Sequence, residues 1–172
     1  GSGADACIEI NGCNNINISN VNCSNFIDGI LINGKTVNEV DTSSTNIIVE
    51  NCVFDGITGY GILCGNALGN SSDEIINFTL NNIIVKNCSL DGYHLRGKNV
   101  ILNNCYGVDN RYHAILIDTK TVNDITINGF ISKNNTQGLI NCTAGANIVL
   151  KNIYDDENAN ESNLQTISGI TN

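Results

Sequence analysis

The sequence contains no proline, no methionine and no tryptophan, and only 8 of its 172 residues are lysine or arginine. With 17 acidic residues the formal net charge is -9. Such a charge argues against non-specific binding to nucleic acid or to an anionic membrane, because both require a basic face. No apolar run approaches the roughly 20 residues of a transmembrane helix. We therefore expect neither nucleic acid nor membrane insertion among the functions of this chain.

The 8 cysteines form no C-x-x-C pair and show no Cys/His spacing typical of a metal site. Cys52, Cys88 and Cys105 share one position of a sequence repeat, which predicts a column of small buried hydrophobes in a stacked fold. We expect reduced cysteines, with a disulfide bridge as the alternative, and a reducing site of synthesis such as a bacterial cytoplasm. The sequence predicts no metal site and no cofactor.

Asparagine makes up roughly one residue in five, and Asn and Gly both tolerate the left-handed backbone of tight bends. One phrase recurs: Asn, three strand-forming residues, a polar residue, then Asn and a small apolar residue. Its clearest copy spans residues 82–88. Six copies of one strand and one bend predict a repeat protein. The first strand residues of the copies are Ile16, Ile47, Ile83, Val100, Ile125 and Ile148.

The spacing of these copies is uneven, from 17 to 36 residues. This fits a parallel β-helix, in which each coil can carry a loop of any length at its corners, and it places loops at 34–45 and 65–81. The bend residues are predicted to form a column along the rod. That column comprises Asn20, Asn51, Asn87, Asn104 and Asn152.

A second strand, of the form G-[IL]-x-[ILC], follows most copies. Alternation of side chains along a strand assigns every second residue to the core. The predicted inward residues are Ile30, Ile62, Leu95, Ile115 and Leu139. The predicted outward residues form an apolar stripe, which is either a contact in a homotrimer or covered by the loop at 65–81. They are Leu31, Leu63, Leu116 and Ile140, with Arg96 between them.

The repeat N-[IV]-x-[IVL]-x-N, followed by this second strand, resembles the right-handed parallel β-helix of the pectin lyase-like superfamily. In style it is similar to bacteriophage tailspikes and bacterial carbohydrate-active proteins. The resemblance implies an all-β solenoid of about six to seven coils over residues 3–155. Residues 156–172 are expected to be a partial last coil or a cap, and Gly1–Ser2 a cloning remnant.

No catalytic residue can be assigned to this chain from the motifs of the enzymes in this superfamily. Arg96-Gly97-Lys98 matches the R-x-K motif of polygalacturonases, but no D-D motif precedes it. A local group of residues remains between Tyr60 and His113, and stacking should bring its members together. Asp55 and Asp91 are predicted to share one turn position, with Asp109 close to it on the next coil.

Neighbouring carboxylates either raise the pKa of one member and so make a proton donor, or bind a cation. Tyrosines offer flat faces to sugar rings, and Arg111 is suited to holding a sugar carboxylate. The predicted catalytic residues are Asp91, Asp109, His94 and His113. The predicted substrate-binding residues are Tyr60, Tyr93, Tyr112, Arg96 and Arg111. Each type also has a structural alternative: turn residues for the aspartates and histidines, and an aromatic stack for the tyrosines.

The function expected from these features is engagement of a polysaccharide or cell-surface glycan, with binding alone and cleavage by a hydrolase or lyase both left open. The expected setting is a virion tail or another extracellular location. The alternative is a non-catalytic stalk or adhesin whose coils serve only as a spacer. A cell-surface sensor domain is a third possibility.

Overall fold

A computed structural model describes residues 6–37, 40–65, 75–118, 123–142 and 147–156. These residues form a parallel β-helix of six coils, and none of them forms a helix that could cross a membrane. Each coil contributes one strand to each of three six-stranded parallel sheets. Sheet A contains β1 (Ala6–Asn11), β4 (Asp28–Asn33), β9 (Ile62–Cys64), β12 (Tyr93–Leu95), β15 (His113–Ile117) and β18 (Gly138–Cys142).

The other two sheets follow sheet A in every coil. Sheet B contains β2 (Asn14–Ser19), β7 (Ser44–Glu50), β10 (Ile75–Asn81), β13 (Lys98–Asn103), β16 (Asn123–Asn128) and β19 (Ile148–Lys151). Sheet C contains β3 (Asn22–Ser24), β8 (Val53–Asp55), β11 (Ile84–Lys86), β14 (Tyr106–Val108), β17 (Ile131–Lys133) and β20 (Tyr154–Asp156). The first predicted loop contains an antiparallel hairpin, β5 (Lys35–Val37) with β6 (Val40–Thr42).

The second predicted loop ends earlier than expected, because β10 begins at Ile75 and already belongs to sheet B. Residues 66–74 lie outside the described residues. So do residues 1–5 and 157–172, and with them the predicted cloning remnant and nearly all of the predicted cap.

The third copy of the repeat was assigned to the wrong sheet. Phe78 pairs with Ile47 on one side and Val100 on the other, so the sheet B strand of the third coil is β10. The phrase at 82–88 forms the following strand instead, with Ile84 paired to Val53 and Tyr106 in sheet C. Its sequence fits either sheet, because strands of both sheets are short, β-branched and followed by an Asn bend.

The bends explain the richness in asparagine. Every non-glycine residue with positive φ in the described chain is Asn or Asp. These side chains tolerate the left-handed region and can hydrogen-bond from coil to coil. Asn82 has φ 54° and donates to Asn51 across 3.1 Å, so it belongs to the column between sheets B and C. Asn87, predicted for that column, lies at the bend after sheet C and donates to Asp55.

The predicted cysteine column is also divided. Cys52 and Cys105 share one column with Ile83 between them, whereas Cys88 stacks between Ile57 and Asn110 one bend later. All three cysteines are nevertheless buried free thiols. Burial raises the pKa of Cys88 to about 12 and that of Cys105 to about 11, so both are protonated at neutral pH.

The expectation that every cysteine is reduced is wrong at one pair. Cys7 and Cys23 form a disulfide within the first coil. On the second coil, Gly29 and Phe54 occupy the positions that correspond to Cys7 and Cys23. A Cβ on Gly29 would lie 2.6 Å from the Phe54 ring. Small residues or a covalent bond therefore occupy this narrow part of the core.

Sheet A differs from its predicted register at two strands. In β18 the inward residue is Ile140, which pairs with Ile115, and not Leu139. In β12 the prediction that Leu95 points inward is confirmed, but Leu95 pairs with Ile117, and Tyr93 occupies the column of Ile62 and Ile115.

The predicted apolar stripe is therefore interrupted. His94, not Arg96, stacks between Leu63 and Leu116 on the outer face of sheet A. Leu31 and Leu63 lie outside the core cluster but are only 8% and 4% exposed. These two residues are not available as the predicted trimer contact.

Candidate functional site

One column at the start of sheet A carries Asp28, Tyr60, Asp91 and His113 on four successive coils. The register places them together, since each lies two residues before the paired residues Ile30, Ile62, Tyr93 and Ile115. Asp28 Oδ1 accepts the backbone N–H of Tyr60 across 2.9 Å, and Asp91 Oδ1 accepts that of His113 across 2.9 Å. Each aspartate thus satisfies a backbone donor of the following coil.

Asp91 also orients the side chain of His113. Its Oδ1 lies 2.8 Å from His113 Nδ1, and the two side chains are 5% and 11% exposed. An ionised carboxylate can only accept hydrogen bonds, so in the neutral form of the imidazole Nδ1 carries the proton and Nε2 keeps a lone pair. No described residue hydrogen-bonds to Nε2. The arrangement suits His113 to proton transfer.

A second group lies on the same face, centred on Asp118 directly after β15. Arg96 donates to both carboxylate oxygens, across 2.7 Å to Oδ1 and 2.8 Å to Oδ2. Burial opposes ionisation of Asp118, but the two hydrogen bonds and the positive charge of Arg96 outweigh it, and the pKa of Asp118 is lowered to about 2. Asp118 is therefore a carboxylate that fixes the position of the Arg96 guanidinium.

His94 is the most deeply buried member of this group, with its side chain 3% exposed. Its Nε2 lies 2.9 Å from Asp118 Oδ1, but the geometry does not complete a hydrogen bond, and no described residue hydrogen-bonds to Nδ1. Burial lowers the pKa of His94, and Asp118 only partly offsets the effect. An unsatisfied, neutral imidazole is a costly feature in a buried position and is typical of functional sites.

Tyr60 joins the two groups. Its ring centre lies 4.8 Å from that of His94, with the rings tilted by 49°. The side chain is half-buried, and burial raises the pKa of its hydroxyl, as do the charges of Asp91, Asp118 and Asp28. The sheet A cluster, as we call it, comprises Asp28, Tyr60, Asp91, His94, Arg96, His113 and Asp118.

Five of the nine predicted site residues lie in this cluster: Tyr60, Asp91, His94, Arg96 and His113. Tyr93 does not, because its side chain is fully buried inside the helix. The Tyr93 hydroxyl lies 3.0 Å from Ile83 O and 2.9 Å from Tyr106 O, and the ring packs against Phe130. The expectation that Tyr93 forms an exposed sugar platform is wrong.

The three remaining predicted residues lie apart from the cluster in the described contacts. Asp109 is an exposed bend residue with φ 53° that accepts a hydrogen bond from Asn134. Arg111 is exposed, with its guanidinium carbon 5.5 Å from the ring centre of half-buried Tyr112. The predicted shared position of Asp55 and Asp91 is also wrong, since Asp55 is in sheet C, paired with Lys86.

Sequence reasoning missed Asp28 and Asp118. Asp28 had a detectable signal, because Asp28-Gly29 precedes a sheet A strand just as Asp91-Gly92 does. Asp118 had a weaker one: it follows an apolar strand and belongs to the cluster only because Arg96 lies on the preceding coil.

Comparisons with family models, with curated proteins and with solved structures give no match to this chain. The resemblance to the pectin lyase-like superfamily therefore rests on the repeat pattern alone. Among the described residues, no group of three or more His, Cys, Asp or Glu side chains is arranged to hold a metal ion. The chemistry that the cluster offers is hydrogen bonding, aromatic contact and proton transfer.

Proposed function

We propose that this chain binds an extended glycan along the column at the start of sheet A that carries Asp28, Tyr60, Asp91 and His113. The observation that carries the proposal is the convergence of an aromatic ring, Tyr60, with the polar side chains of the sheet A cluster across four successive coils. Sugars are bound by aromatic faces together with hydrogen-bonding groups. A column of residues along a rod suits a long, repeating ligand.

Cleavage of the same glycan is the second candidate, and the pairing of Asp91 with His113 favours it. The 2.8 Å contact holds the imidazole in one orientation, as a general base requires. The setting in a phage tailspike or a secreted bacterial protein, and assembly as a homotrimer, stay predictions from the sequence style. A tailspike or a secreted protein would meet glycans at a cell surface, which is consistent with the proposed ligand.

A polysaccharide array tests the proposal, using the wild-type chain, Tyr60→Ala and Tyr154→Ala. Tyr154 is the matched control, because it is 59% exposed and lies on sheet C. We expect Tyr60→Ala to lose about tenfold in affinity for the bound glycan, since it removes the exposed part of an aromatic contact. Tyr154→Ala should bind like the wild type, and circular dichroism should show that both variants fold.

A reducing-end assay on the bound glycan separates binding from cleavage. Turnover that disappears in His113→Gln while affinity is retained would assign the proton transfer to this residue. Unchanged affinity in a folded Tyr60→Ala variant, or binding to no glycan on the array, would contradict the proposal and favour the stalk.

A further inference from the structure

The sheet A cluster carries more negative than positive charge. Its three carboxylates belong to Asp28, Asp91 and Asp118, whereas its one permanent cation is Arg96. The Arg96 guanidinium binds Asp118 through two hydrogen bonds, so these two charges compensate each other. Burial lowers the pKa of His94, which is therefore neutral at neutral pH. Asp28 and Asp91 are left without a permanent cation in the described contacts.

Asp28 and Asp91 each use one oxygen for a backbone N–H of the next coil. The second oxygen of each carboxylate has no protein partner among the described residues. Burial raises the pKa of Asp28, in line with a carboxylate that has one backbone hydrogen bond and no cation beside it in the described contacts. A cation bound between these side chains would supply that compensation.

The spacing of the two carboxylates fits a repeating ligand. They lie two coils apart in one column, with Tyr60 between them, which corresponds to about 9.6 Å at the usual strand separation. This is close to the length of one disaccharide in an extended chain. Tyr60 then lies where a sugar ring would pass between two ammonium groups.

The unsatisfied imidazole of His94 is an independent sign that the cluster receives a ligand. The side chain is 97% buried and its ring lies beside Tyr60, yet its Nδ1 has no hydrogen-bond partner in the part of the chain that the structure describes. Sugar hydroxyl groups both donate and accept, and so can satisfy a neutral imidazole. The formal charge of -9 on the whole chain would also attract a polycation.

From these contacts we infer that the glycan is an amino-sugar polymer with free amines, held by Asp28 and Asp91 on either side of Tyr60. This inference rests on the proposed function and specifies its ligand class. It runs against a uronic acid polymer, whose carboxylates would face Asp28 and Asp91 with no uncompensated cation in the described cluster. Arg111, which the sequence suggested as the partner of a sugar carboxylate, makes no described contact with the sheet A cluster.

Titration calorimetry with three hexasaccharides tests the inference: glucosamine, N-acetylglucosamine and galacturonic acid oligomers. The first two share one sugar backbone, but the first carries free amines that can be charged and the second carries neutral N-acetyl groups. We expect the glucosamine hexamer to bind at least about tenfold more tightly than its acetylated form. The reason is that hydrogen bonds between charged groups contribute more than those to a neutral amide. Its affinity should fall as salt rises to about 0.15 M. The galacturonate hexamer should not bind.

Three Asp→Asn variants separate a specific site from general attraction. Asp28→Asn and Asp91→Asn keep the oxygen that accepts the backbone N–H but remove the charge, so the fold should be retained. Each should lose about tenfold in affinity for the glucosamine hexamer. Asp124→Asn is the control, because it removes the same charge at a distant bend where other coils carry Asn, and it should bind like the wild type.

Equal binding of the acetylated hexamer, tighter binding of the galacturonate hexamer, or equal losses in Asp124→Asn and Asp28→Asn would overturn the inference. If the array yields a ligand that depends on Tyr60 but lacks amines, the ligand class is wrong while the binding function stands. If the array and all three oligomers give no binding, the proposed function fails and the inference fails with it.

Discussion

Tyr93 occupies the inward column of sheet A, where Ile62 and Ile115 fill the same position on the neighbouring coils. A tyrosine is tolerated there because its hydroxyl reaches two backbone carbonyl oxygens at the corner between sheets B and C. Burial raises the pKa of this hydroxyl well above its usual value, so it keeps its proton and remains a donor at neutral pH. The residue is thus a core residue with one satisfied polar atom.

Replacing Tyr93 by Ala should therefore destabilise the fold by about 3–5 kcal/mol, because it removes a fully buried ring. Tyr93→Phe should cost about 1–2 kcal/mol, since it removes only the hydroxyl, whose single proton is shared between two carbonyl oxygens. Tyr154→Ala is the exposed control and should change the free energy of unfolding by less than about 0.5 kcal/mol. Urea unfolding measures all three. A Tyr93→Ala variant as stable as Tyr154→Ala would contradict the placement of Tyr93 in the core.

The bends between strands determine which sheets the chain can form. Each bend column holds backbone in the left-handed region, and its Asn amides pass hydrogen bonds from one coil to another. Gly129 occupies the column of Asn82 and Asn104 with φ 68°, so the backbone conformation, rather than the side chain, is the first requirement. The amide ladder adds to it.

Replacing Asn82 by Ala should lower the free energy of unfolding by about 1–2 kcal/mol, because alanine is strained in the left-handed conformation at this position. The same change also removes the 3.1 Å hydrogen bond to Asn51, whereas Asn82→Gly loses that bond but keeps the backbone conformation. Asn82→Gly should therefore be the more stable of the two variants. Asn17→Ala, on an exposed strand position without positive φ, is the control and should cost less than about 0.5 kcal/mol. Equal free energies of unfolding for the Ala and Gly variants would exclude a conformational role for the bend.

The repeat pattern was sufficient to predict the fold class of the whole molecule, because periodic Ile, Val and Asn specify strands and bends directly. The register was harder, since Asn82 and Asn87 flank a strand whose sequence suits sheet B or sheet C equally. Only the pairing of Phe78 with Ile47 and Val100 decides between them.

The candidate site was predicted in part for a related reason. Tyr60 and His94 could be grouped from their positions on adjacent coils, but the side of the sheet that each side chain takes depends on exact register. A shift of one residue exchanges core for surface, which is why Tyr93 was misplaced. Asp118 joins the cluster through contacts between coils with His94 and Arg96, and no local pattern encodes such contacts.

The stability of the whole molecule should fall as pH decreases from 7 to 5, and His94 should account for part of the loss. Burial depresses the pKa of His94 below its ordinary value of 6.5, so the unfolded chain takes up the proton first. The contribution of His94 is therefore complete above about pH 6.5 and is lost as pH falls towards the folded-state pKa. Asp28 acts in the opposite direction, because burial raises its pKa and protonation favours the folded state at lower pH. Urea unfolding at pH 7 and pH 5 should show a smaller loss in His94→Gln than in the wild type, since glutamine has no proton to gain. An identical loss in both would mean that the His94 imidazole is solvated in the folded chain. The placement of His94 as a buried member of the sheet A cluster would then be wrong.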